Sequence, residues 1–117
     1  MYDTSMISKD LVAASARPLI LSLLAQGESY GYELTRKVRE FSQGSLEWSD
    51  GMLYPVLHRL EREGLVRSEW KQSDIGRERK YYRLSSNGRR SLQTEQQQWL
   101  TVHNTLCKVW KIRPVSI

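Results

Sequence analysis

Gly64 divides this chain between two periodicities, and that division constrains the fold more than any other feature. Before it, Leu53, Val56, Leu57 and Leu60 recur at three- and four-residue spacing, the pattern of a helix from Met52 to Glu63 with one apolar stripe. After it, Leu65 to Gln72 and Arg79 to Leu84 alternate like two strands, joined through Ser73-Asp74-Ile75-Gly76, whose aspartate and glycine supply turn chemistry. A glycine at the junction suits the left-handed residue that ends many helices. The chain therefore passes from helix to β-hairpin with almost no linker.

Two helical segments precede this junction. Between Ser8 and Gly27, Leu19, Ile20, Leu23 and Leu24 keep helical spacing. Pro18 either opens a helix at its first turn or interrupts a longer one; the longer helix, irregular at the proline, is the expected form. Ser29 is placed to cap a second helix from Tyr30 to Phe41, marked by Tyr32, Leu34, Val38 and Phe41. Ser42-Gln43-Gly44-Ser45 ends it, Leu46-Glu47-Trp48 is a short extended link, and Ser49 or Asp50 caps the third helix. Pro55 removes one bond from that helix, a smaller loss near its start than in its middle. After the hairpin, Ser85 or Ser86 caps a long helix reaching about Trp110. Its Leu92, Trp99, Leu106 and Trp110 recur at heptad-like spacing among glutamines.

This order gives a mostly α fold with a small β-hairpin: a winged helix-turn-helix over residues 1–84, then a C-terminal dimerisation helix and tail over 85–117. At 117 residues the chain has room for one modest core and not for two. In a winged helix-turn-helix the third helix enters the major groove of DNA, and the wing lies along a phosphate backbone or in a minor groove.

The hairpin carries the charge that such a role needs. Gly76-Arg77-Glu78-Arg79-Lys80-Tyr81-Tyr82-Arg83-Leu84 crowds four cations against one acid, an arrangement that repels itself unless phosphates lie beside it. Arg77, Arg79 and Lys80 fall at the tip and rising edge of the wing. The net charge of +5 and a pI near 9.6 agree with a polyanionic partner, double-stranded DNA. On the third helix, Gly51, Tyr54, His58 and Arg62 fall on a face opposite or oblique to the leucine stripe. A hydroxyl, a ring nitrogen and a cation there suit base edges or phosphates, and a small residue at 51 lets a helix N-terminus approach an anion. Tyr54 equally suits the edge of the core.

Tyr30-Gly31-Tyr32-Glu33-Leu34, the run from Gly51 to Val66 and the run from Gly76 to Gly88 together resemble the PadR family of bacterial transcriptional regulators. The three blocks span most of the chain, in the family's order, and its length resembles the smaller members with one C-terminal helix. The resemblance implies a homodimeric DNA-binding regulator, usually a repressor, on a palindromic operator. It implies DNA contacts at Tyr30, Tyr32, Tyr54, Arg79 and Lys80. Met52 departs from the family's usual threonine or serine, so a hydroxyl contact is lost or replaced by an apolar one. In the family the last helix packs with the N-terminal helix of the other subunit. Trp99 is placed like an aromatic that, in some multidrug-sensing relatives, lines a groove between subunits and stacks on flat aromatic effectors. Ordinary dimer core is the favoured reading of Trp99, and the ligand role is the alternative.

Other classes fit poorly. His58 and His103 lie far apart, Cys107 lacks metal-ligand spacing to either, and no Walker or Rossmann glycine pattern occurs, so neither an enzyme nor a cofactor is expected. His103 and Cys107, one helical turn apart, read as incidental. A winged helix serving only protein–protein contact would not need the cationic wing. No apolar run approaches the ~20 residues of a membrane helix. A lone cysteine and an N-terminus, Met1 to Ser5, without signal-peptide character point to the bacterial cytoplasm.

Overall fold

The computed structural model describes residues 7–114, so Met1 to Ser5 and the last three residues of the tail lie outside the described residues. The elements are α1 (Lys9–Ala25), β1 (Ser29–Tyr30), α2 (Gly31–Phe41), α3 (Asp50–Arg62), β2 (Val66–Gln72), β3 (Glu78–Leu84) and α4 (Ser86–Trp110). Helix α1 runs through Pro18 as one helix, and the Ser8 side chain caps it by accepting from the Leu11 amide at 3.2 Å. Of the alternatives at the next two caps, Ser49 accepts from the Met52 amide at 3.2 Å and Ser85 from the Gly88 amide at 3.0 Å.

The sheet has a third strand. β1 pairs with β3 antiparallel, Ser29 opposite Tyr82 and Tyr30 opposite Tyr81, giving the order β1-β3-β2. Ser29 therefore does not cap α2. Its hydroxyl donates to the Glu33 carboxylate at 2.5 Å, and Tyr30 stands at the N-cap without a side-chain cap bond. Two residues are too few for alternation to reveal a strand.

The core gathers Ile20, Leu21 and Leu24 from α1, Leu34 and Val38 from α2, and Leu53, Leu57 and Leu60 from α3. Val66 and Tyr82 close it from the sheet. Trp48 is also buried, so the link before α3 is anchored in the core. The end of α3 is a Schellman turn: the Leu65 amide reaches the Leu60 carbonyl at 2.9 Å, and the Gly64 amide reaches Glu61 at 3.0 Å. Gly64 has φ 76°, a conformation that a side chain would strain.

Beyond the core, Arg17 ties three helices together. Its guanidinium donates to both oxygens of Glu63 at 2.8 and 3.2 Å, and its Nε reaches Glu95 on α4 at 3.0 and 3.1 Å. The hydrogen bonds from Arg17 hold the Glu63 carboxyl below its ordinary 4.5, and those to Glu63 raise the arginine in turn. The pair is partly exposed, so solvent screens much of its worth, and Arg17→Ala is expected to cost about 0.5–1 kcal/mol at neutral pH. A depressed carboxyl stabilises the fold above its unfolded pKa, and that contribution disappears as pH falls through the lower folded value. Urea unfolding of both proteins at neutral pH and at about pH 3 checks this, because the gap between them should narrow in acid. A gap unchanged by pH would assign the loss to packing of the arginine stem instead.

Candidate nucleic-acid interface

Five elements, α2, α3 and the three strands, converge on one groove of about 780 Å³, between the face of α3 away from the core and the wing. α3 carries Tyr54 and, one turn later, the exposed His58, their rings 6.3 Å apart. The first turn of α2 contributes Tyr32, which is well exposed, and β1 contributes Tyr30. Arg77, Arg79 and Lys80 form the opposite wall. Seven of the nine residues expected to meet DNA thus line a single groove. Gly51, on the exposed first turn of α3, and Arg62, exposed on its last turn, are not among the lining residues.

Local packing fixes these side chains. The Tyr54 ring lies across the start of α2, and a Cβ on Gly31 would overlap its hydroxyl. Tyr54 therefore serves as both core edge and groove wall. The Arg79 guanidinium sits 4.3 Å from the Tyr30 ring centre, and Tyr30 meets Tyr81 edge-on at 5.4 Å. Stacking of this kind holds an arginine in place without neutralising it.

Charge is distributed in the same sense. On the wing, Lys71 is bonded to Glu28 at 2.7 Å, and Arg83 lies 4.0 Å from Glu69. The bonds to Glu28 raise the Lys71 ammonium above its ordinary value. Arg77, Arg79 and Lys80 make no ion pair with a carboxylate among the described residues. The cations left unpaired on the wing include those facing the groove. Such a surface attracts polyanions.

Three groove residues escape a reading of the sequence. Gly31 belongs to the run from Tyr30 to Leu34, yet its close approach to Tyr54 is a tertiary fact. Tyr82, 1% exposed, forms the floor, its hydroxyl without a partner among the described residues, and burial, with Glu61 adding, pushes its phenol up. Trp70 lines the groove from β2 opposite Lys80. Its signal in the sequence is its two-residue spacing from Val66 and Ser68, which places all three on one face of the strand.

The residues expected to mediate dimerisation lie elsewhere. Leu92 packs against the core, whereas Trp99, Leu106 and Trp110 remain 38%, 39% and 61% exposed. Trp99 lines an apolar cleft of about 330 Å³ between α1 and α4, with Pro18, Leu19, Leu92, Leu100 and His103. The Cys107 thiol is buried, 3.7 Å from His103 Nε2. No cluster of His, Cys, Asp or Glu able to hold a metal ion occurs among the described residues. No helix among them is long and apolar enough to cross a membrane.

Known proteins share this fold. Residues 20–94 match the family described as "Transcriptional regulator PadR-like family", a span from the middle of α1 to the first third of α4. A transcriptional regulator from Mycobacterium tuberculosis is 40% identical over 84 residues, covering 72% of this chain and 75% of that protein. The crystal structure of a PadR-like transcriptional regulator from Bacillus cereus superposes with a TM-score of 0.78 at 30% identity, covering 90% of this chain and all of that one. A transcriptional regulator from Clostridium thermocellum gives a TM-score of 0.79 at 28% identity, covering 88% and 97%. These relatives are regulators, not enzymes. With the match spanning the end of α1, all of α2 and α3 and the whole wing, the chain belongs to the PadR-like family of transcriptional regulators.

Proposed function

We propose that this protein is a homodimeric, sequence-specific DNA-binding repressor that recognises a palindromic operator. The observation that carries the reading is the single groove in which the tyrosines of α2 and α3, His58 and the unpaired cations of the wing face one another. In this reading α3 offers Tyr54 and His58 to base edges in the major groove, and Arg77, Arg79 and Lys80 meet phosphate. Gly51 and Arg62 serve backbone positioning at the two ends of α3. The exposed Trp99, Leu106 and Trp110 find cover on a second copy. The open α1–α4 cleft supports a flat aromatic effector stacked on Trp99, whose binding releases the operator.

Replacing Arg79 and Lys80 together with alanine should weaken binding to every DNA sequence by a similar factor. The log-affinity against log-salt slope should fall in magnitude by roughly two units, one for each lost phosphate contact. A double variant with the wild-type slope would remove the wing from the interface. His58→Ala and Tyr54→Phe should behave differently, weakening operator more than random DNA by ~1–3 kcal/mol where a base contact is lost. Equal losses on both DNAs would reassign these residues to positioning. Binding selections from a random DNA pool supply the operator for both measurements.

The assembly is tested by sedimentation at micromolar protein, where a two-fold dimer is expected. Leu106→Glu should shift the population to monomer and lower operator affinity while leaving the circular dichroism of the fold unchanged. A wild-type monomer would overturn the dimeric reading.

A further inference from the structure

We infer that Trp70 is a DNA-contacting residue that packs its indole against the deoxyribose faces of the strand whose phosphates meet the wing. The inference rests on the reading of the groove as a DNA interface and adds to it an uncharged contact. Along the inner face of β2, burial declines as the strand leaves α3: Val66 is buried, Ser68 is half-buried and bonded to Glu61, and Trp70 is 64% exposed. Tryptophan is highly buried on average, so a largely exposed one in mid-strand calls for a partner. No described residue covers it, although Lys80 lies directly opposite in register.

The surroundings specify the chemistry of that partner. Trp70 lines the same groove as Arg77, Arg79 and Lys80, which make no ion pair among the described residues. A partner that brings apolar area beside closely spaced negative charge satisfies both features, and the sugar–phosphate backbone does so because each phosphate is flanked by a deoxyribose. An acidic protein surface would match the cations but would not regularly place apolar faces beside its carboxylates. Lys80 Nζ leans over the Tyr82 ring at 5.8 Å, and Lys80 and Trp70, cross-strand partners, both line the groove. A charged contact and an apolar one thus share neighbouring positions on the wing.

The two contacts separate in their salt dependence, because only neutralised phosphates release counterions. Trp70→Ala should weaken operator and random DNA alike by about tenfold, or ~1.4 kcal/mol, with the salt slope unchanged. Trp70→Phe should recover most of the loss, since a phenyl ring retains a flat apolar face. DNA should also change the tryptophan emission of the wild type, and a part of that change should vanish in Trp70→Phe. Unaltered affinity in Trp70→Ala, with wild-type DNA binding intact, overturns this inference alone. A reduced salt slope also overturns it, because the residue would then act by holding the wing in shape. Absence of DNA binding by the wild type would instead overturn the function on which it rests.

Discussion

The arrangement of the interface depends on Ser85. Its amide donates to the Leu65 carbonyl at 3.0 Å, its hydroxyl donates to the Gly64 carbonyl at 2.6 Å, and the same oxygen accepts from the Gly88 amide at 3.0 Å. One nearly buried side chain thereby joins the end of α3, the entry to β2, the exit from β3 and the first turn of α4. Each of these backbone groups would otherwise need a partner in a place with little water. A Cβ on Gly88 would overlap the Leu65 carbonyl, so the first turn of α4 lies directly on the strand. The wing cannot swing relative to α3 without breaking this junction. A groove built from one wall on α3 and one on the wing keeps its width for the same reason.

Charge is arranged around that frame in two ways. Away from the groove, acids and bases are spent on each other: Arg17 on Glu63 and Glu95, Lys71 on Glu28, Arg39 on Glu47. These pairs contribute modestly to stability, since most are exposed and screened. Along the groove the wing cations are left to repel one another. The folded protein thus accepts a small destabilisation where it has most to gain from a polyanion. A net charge of +5 is by itself compatible with many partners, and its concentration beside the tyrosines of α2 and α3 makes the surface selective.

Local features of this fold are legible in the sequence, and contacts between distant residues are not. The leucine stripe of α3, the glycine stop and the alternation of the hairpin each depend on neighbours within one turn or two strand positions, so their periods survive in one dimension. β1 does not, because a pair of residues has no period and its partner Tyr82 lies more than fifty positions away. The same distance hides the Arg17 clamp, whose partners are 46 and 78 residues along the chain. Within the groove, the cationic wing and His58 are visible as exposed chemistry on a predicted element. Tyr54 is ambiguous in the sequence because the structure uses it twice, ring against Gly31 and edge toward the groove. Trp70 reads as an ordinary strand aromatic until the strand is seen to leave its support.

α4 connects these two regions of the molecule. It starts at the Ser85 junction, lays Leu92 on the core, and continues past the Arg17–Glu95 bond to an end where Trp110 is uncovered. A helix of 25 residues extends ~37 Å, so the junction and the exposed end lie well apart on one stiff rod. Between them, the cleft at Trp99 lies between α1 and α4 alongside the point where Arg17 holds the two together. In the proposed dimer, an effector that widened this cleft would tilt α4 about the Arg17 clamp. The tilt would be felt at Ser85, where the hydrogen bonds to Gly64 and Leu65 fix the wing against α3. Such a ligand alters operator affinity only to the extent that it binds the tilted and untilted forms differently. Weakening the clamp should lower the cost of tilting, so Arg17→Ala is expected to make operator release occur at lower effector concentration. Titration of operator-bound wild type and variant with a planar aromatic cation measures this, and identical release curves would exclude α4 as the connecting element.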